Sequence, residues 1–193
     1  MISQSSKATS TPQLKRLFNQ SITINSTAFE DINPETKQLT FVGSKTETAL
    51  LQFAKDLSWE NWEETHESAK IIQMIPFSSE RKAMGIIVRL QSGCCRLFLK
   101  DASEILMKKC SSHVVVSKNP NHTQHANSDI KTKTINEITR DNILRTTIFY
   151  VNRMLRTIAL CYQDFESWPP AGTHFQSMLP SRKIIADVLS DQQ

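Results

Sequence analysis

The stretch between Ile71 and Leu99 constrains the fold most. It holds three apolar, strand-like runs, Ile71–Pro76, Met84–Leu90 and Cys94–Leu99, separated by a charged link at Phe77-Ser78-Ser79-Glu80-Arg81-Lys82 and by Gln91-Ser92-Gly93. Parallel neighbours need a crossover of a dozen or more residues, whereas links this short serve antiparallel ones. The nucleus is therefore an antiparallel sheet, and the remaining elements must cover it.

Those elements read as helices and short extended pieces. Residues 1–13 are a Ser/Thr-rich lead-in, and Leu14, Leu17 and Phe18 suggest a short helix. A hairpin follows with arms at 22–32 and 38–42, turned by Asn33-Pro34-Glu35-Thr36. Ser44-Lys45-Thr46-Glu47 reads as a capping box, in which the Glu47 carboxylate accepts from the Ser44 backbone N–H. It opens a helix with Ala49, Leu50, Phe53, Ala54 and Leu57 at helical spacing, and Trp59 to Ser68 completes a helical hairpin. Asp101-Ala102-Ser103-Glu104 is a second capping box, with Asp101 as N-cap of a helix to about Cys110, before a short strand at Val114–Val116. Residues 117–133 offer almost nothing to bury and read as a surface loop. Thr134 caps a helix through about Met154 with Leu144, Ile148, Val151 and Leu155 facing inward; Arg156–Tyr162 is a last strand, stopped by Trp168-Pro169-Pro170. The expected class is α+β, an antiparallel sheet flanked by helical hairpins. One domain spans 14–165, and 166–193 is an irregular tail.

Composition narrows the function. Only four of 193 residues are glycine, no two closer than eight positions, so no glycine-built phosphate loop or dinucleotide fingerprint is possible. Any nucleotide site must use side chains. A scattered net charge of +4 gives no reason to expect nucleic acid. The apolar runs are far too short for a membrane helix, and Met1-Ile2-Ser3-Gln4-Ser5-Ser6 lacks the apolar core of a secretory leader. Four cysteines do not make a disulfide scaffold, so the chain reads as residing in a reducing compartment.

Four separated segments carry a resemblance. They are Phe41-Val42-Gly43-Ser44-Lys45-Thr46-Glu47-Thr48-Ala49-Leu50, Pro76-Phe77-Ser78-Ser79-Glu80-Arg81-Lys82-Ala83-Met84, Lys100-Asp101-Ala102-Ser103-Glu104 and Met154-Leu155-Arg156-Thr157-Ile158-Ala159. In this order they resemble the nucleotide-binding domain of a P-type calcium-transporting ATPase. Lys45-Thr46-Glu47 and Asn25-Ser26-Thr27-Ala28-Phe29 are most similar to the plasma-membrane and fungal vacuolar pumps, with the vacuolar branch favoured. The family's phosphorylated Asp-Lys-Thr-Gly-Thr motif does not occur in the chain.

The resemblance implies that Phe77 stacks on adenine, Lys82 and Lys100 enter the nucleotide pocket, and Glu47 lies beside the adenine amino group. It also implies that Arg156 reaches the phosphates, while Ser78 and Met84 line the pocket. The ligand would be ATP, with magnesium accompanying it in the full pump. The partners would be the phosphorylation and actuator domains of that pump, with the membrane reached only through other parts of the chain. The domain would lie on the cytoplasmic face of a membrane, the fragment being monomeric and inactive alone, with no catalytic residue of its own. Two departures stand out. Asp101 replaces the glycine of the family's Lys-Gly-Ala-x-Glu, bringing bulk and negative charge, and Ser79 stands where some relatives carry arginine. Weak ATP binding, high-micromolar to millimolar, is expected. The alternative is a protein-interaction module on the same fold that has lost nucleotide competence. Cys110-x2-His113 with His122-x2-His125 has the outward form of a zinc site, but its second half lies in the surface loop and no zinc is expected.

Overall fold

In the computed structural model, which describes residues 11–58, 60–79, 82–116 and 130–170, the three runs become the first three strands of a four-stranded antiparallel sheet. The chain forms two compact units: Met1–Ala69 with Val115–Lys131, and Lys70–Val114 with Thr132–Gln193.

In the first unit, α1 (Pro12–Thr23) starts at Thr11, whose hydroxyl accepts from the Leu14 N–H, and Pro12 suits the first turn because it needs no donor there. The helix runs through Thr23, so the expected hairpin arm 22–32 shrinks to β1 (Phe29–Ile32), paired with β2 (Leu39–Val42). The Asn33 side chain accepts from the Glu35 and Thr36 N–H groups and holds the turn. Ser44 caps α2 (Lys45–Leu57) as expected. Its buried stripe is Leu51, Ala54 and Leu57, with Ala49 exposed. Gly43 has a reason to be glycine, because a Cβ there would lie 2.6 Å from the Ala28 Cβ. The acidic helix α3 covers Trp62–Glu67, and Asn19 of α1 donates to the Thr65 hydroxyl.

The second unit holds β3 (Lys70–Ile75), β4 (Ala83–Arg89), β5 (Cys95–Ala102) and β8 (Ile158–Phe165), in the order β3-β4-β5-β8. Ile75, Ile87, Cys95, Leu97, Leu99 and Leu106 form its core, with Ala159, Cys161, Phe165 and Trp168 packed alongside. The Trp168 indole donates to Gln73, anchoring the residues after β8 to β3.

Three sequence expectations change here. Asp101 does not cap a helix: the ladder continues through Ala102, and α4 (Ser103–Leu106) starts with no side-chain cap. Bonds from Met107 to Ser103 and from Cys110 to Leu106 carry the turn on to Cys110. The strand expected at 114–116 is β6 (Ser112–Val114), which pairs with β7 (Thr132–Thr134), a strand formed by the last two residues of the expected loop and Thr134. The zinc-like His122 and His125 lie outside the described residues. Finally, α5 (Glu137–Val151) is capped by Asn136, not Thr134, and Leu144, Ile148, Val151 and Leu155 are exposed; Thr147 is its buried residue.

Candidate functional site

The antiparallel order gathers four strand termini at one end of the sheet. The C-terminal end of β3, the N-terminal end of β4, the C-terminal end of β5 and the N-terminal end of β8 lie side by side through the pairs Ile75↔Gly85, Ala83↔Asp101 and Ala102↔Ile158. The second-unit residues that the resemblance assigns to the nucleotide fall here. Phe77 and Ser78 follow β3, Lys82 precedes β4, Lys100 and Asp101 end β5, and Arg156 precedes β8.

The burial of these side chains differs in an informative way. Phe77 is 62% exposed, a large ring left uncovered beside a sheet end. Ser78 is half-buried, and its carbonyl accepts from the Lys82 N–H at 2.6 Å. That bond closes the link and holds Lys82 in the left-handed region, φ 56°, which costs energy for a residue with a Cβ. The Lys82 and Arg156 side chains are exposed.

Lys100 is only 7% exposed, unusual for an ammonium, and its strand partners are Met84 and Leu160. In-register partners share a face, so the Lys100 stem runs beside the buried Met84.

Asp101, 4% exposed, is the next residue along the strand and so faces the opposite side from Lys100. Its carboxylate turns back to accept from the Ala102 N–H at 2.5 Å. Burial pushes its pKa up; the Ala102 bond opposes this, Glu104 adds to the rise, and Lys82 lowers it. Beyond the last rung, the Ser103 and Thr157 hydroxyls meet at 2.5 Å, joining the residue after β5 to the residue after Arg156. Sequence reasoning missed this link, whose only signal is the rung Ala102↔Ile158 placing 103 and 157 together.

Glu47 belongs to the first unit. Its carboxylate accepts from the Thr27 N–H at 3.0 Å and from the Ser44 hydroxyl at 2.9 Å, with the Ser26 and Thr27 hydroxyls at 3.5 and 3.4 Å. The expected partner of the carboxylate was the Ser44 backbone N–H; the bond described runs to the hydroxyl instead. The roles of Ser26 and Thr27 were not foreseen.

The chain is similar in sequence to known proteins. The family model for the P-type ATPase cytoplasmic domain N matches residues 13–188. Calcium-transporting ATPase 2 of Cryptococcus neoformans var. grubii is 59% identical over 160 residues, 83% of this chain and 11% of that protein. Calcium-transporting ATPase PAT1 of Dictyostelium discoideum is 33% identical over 153 residues, 79% of the chain and 12% of the relative. Human plasma membrane calcium-transporting ATPase 3 is 34% identical over 163 residues, 81% and 12% respectively. The chain thus spans about a ninth of the length of these relatives. Its α+β fold, its antiparallel sheet and these matches agree, and the chain belongs to the P-type ATPase cytoplasmic N-domain family.

Proposed function

We propose that the chain is the ATP-holding part of a calcium pump. Residues 14–165 form the domain, and it positions ATP for phosphoryl transfer to an aspartate in a separate domain of the same protein. Phe77 stacks on the adenine, Glu47 serves the adenine amino group, Lys82 and Lys100 face the nucleotide with Ser78 lining the pocket, and Arg156 reaches the phosphates. Magnesium accompanies the nucleotide. The domain contributes binding and orientation, not acid–base chemistry. Its partners are the phosphorylation and actuator domains, and its place is the cytoplasmic face of a membrane, vacuolar by preference. Among the described residues no helix is long and apolar enough to cross a membrane.

The observation that carries this reading is the uncovered Phe77 ring at the same sheet end as the buried Lys100. A flat apolar face and an ammonium held along an apolar stem suit a base and a polyanion. Asp101, on the opposite face from Lys100, leaves that approach open. Calorimetric titration tests the reading: ATP binds weakly, GTP binds more weakly still, and Lys100→Met reduces ATP binding. Equal binding of both nucleotides would remove the adenine pocket from the account. Failure of both nucleotides to bind at several times millimolar concentration would favour an interaction module.

A further inference from the structure

On the sheet face opposite Lys100, two thiols meet. The Cys110 and Cys161 sulfurs are 3.2 Å apart, inside ordinary van der Waals contact, although 51 positions separate them in sequence. Both are half-buried and line a cavity of about 830 Å³ walled by Leu97, Leu99, Met107 and Arg140, so a small reagent can reach them. Arg140 donates to the Met107 and Cys110 carbonyls and brings its guanidinium to the end of the turn that carries Cys110. Cys161 is fixed by its strand, opposite Leu99.

We propose that Cys110 and Cys161 are a redox-active dithiol, a modification site oxidised by low-molecular-weight disulfides such as oxidised glutathione. It does not rest on the ATP reading, since none of the residues assigned there takes part.

The surroundings divide the labour between the sulfurs. The hydrogen bond between the two sulfurs, with help from Arg140 and against the cost of burial, lowers the Cys110 pKa to about 7. Cys161 is pushed up, by the same bond first, then by burial and by negative charge at Cys110 and Asp101. With the Arg140 guanidinium held at the Cys110 end of the pair, Cys110 is assigned as the attacking thiolate and Cys161 as the resolving thiol. The Cys110 thiolate attacks one sulfur of the small disulfide and expels a thiolate, leaving a mixed disulfide. Cys161 then gives up its proton and attacks the Cys110 sulfur, expelling the second thiolate. The protein loses two electrons and two protons, and the reagent becomes two thiols. Closing from 3.2 Å to a bond near ~2.05 Å asks for a movement of about 1 Å, within reach of a turn and a side-chain rotation.

The test is equilibration of the full chain in glutathione buffers of graded redox poise, followed by alkylation and peptide mapping. The expected product is an internal disulfide joining the peptides of Cys110 and Cys161, with Cys94 and Cys95 alkylated. A crosslink spanning 51 positions should raise the thermal midpoint by about 4 °C or more. Cys161→Ser should stop at the glutathione adduct on Cys110, and Cys110→Ser should form neither product. Phenylarsine oxide, which bridges two nearby thiols, should bind the unmodified chain tightly and the Cys161→Ser variant at least tenfold more weakly. The proposal is overturned if the peptide map shows both cysteines alkylated throughout, a stable adduct on Cys110 in the unmodified chain, or a different cysteine pair joined. The peptide map uses the unmodified chain, so a variant that failed to fold would not blunt the test.

Discussion

The hydroxyls of Ser103 and Thr157 meet at 2.5 Å one residue beyond the last rung of the β5–β8 ladder, Ala102↔Ile158. The contact ties the strand that ends in Lys100 and Asp101 to the turn that carries Arg156. Two pieces of the sheet end that are 54 positions apart in sequence therefore hold a fixed separation.

Breaking that tie should cost stability and binding together. Ser103→Ala or Thr157→Val is expected to lower stability by ~1 kcal/mol, the worth of a part-buried hydrogen bond. Each should weaken ATP binding about threefold, through a looser Arg156, with little further loss in the double variant. Denaturation and ATP titration of the singles and the double check this; additive losses would show that the hydroxyls act independently.

Phe77→Ala should separate binding from stability. The ring is 62% exposed, so its removal should change folding stability by less than about 0.5 kcal/mol. Loss of base stacking should weaken ATP binding by ~1–3 kcal/mol, roughly fivefold to 150-fold. Parallel thermal melts and titrations decide it, and a variant that melts early while binding normally would contradict the assignment.

Asp101 carries a pH signature. Burial raises its folded pKa above the ordinary 3.8, so the native state takes up the proton more readily than the unfolded chain. Its contribution favours folding below the unfolded pKa and is lost as pH rises through the higher folded value. Asp101→Asn, which can still accept from the Ala102 N–H, should raise the thermal midpoint at pH 7. That advantage should disappear in acid, below the ordinary 3.8. Melting curves across pH would show it, and a gap independent of pH would be the opposing result.

Glu47→Gln should be destabilising by ~1–3 kcal/mol, because the carboxylate accepts from both the Thr27 N–H and the Ser44 hydroxyl and an amide provides only one accepting atom. Urea unfolding measures it. An unchanged midpoint would mean that these donors find other partners.

The sheet was legible because Ile71–Leu99 leaves no alternative: apolar runs with short links pair antiparallel, and β3, β4 and β5 start and end within a few residues of expectation. The candidate residues were picked out by identity, and the strand order then puts Phe77, Lys82, Lys100 and Arg156 at or next to the same end of the sheet. Two local signals misled. Asp101 has the chemistry of an N-cap, but its rungs to Ala83 and Ala159 keep it in the strand, and ladder bonds outrank a cap. In α5, Ile138, Ile143, Leu144, Ile148, Phe149 and Val151 ring much of the helix, so no single apolar stripe identifies the inner face. Contacts set by tertiary register, such as Ser103 with Thr157 and Cys110 with Cys161, have no local pattern and emerge only from the fold.

The most direct test of the central claim is an ATP titration of the isotope-labelled chain followed by two-dimensional NMR. Saturable shifts are expected for backbone amides at Phe77, Ser78, Lys82, Lys100 and Arg156, with dissociation in the high-micromolar to millimolar range. Amides at the other end of the sheet, Arg89 and Cys95, should stay still. If several times millimolar ATP leaves the first group unmoved, or shifts both ends alike, the sheet end is not a nucleotide site.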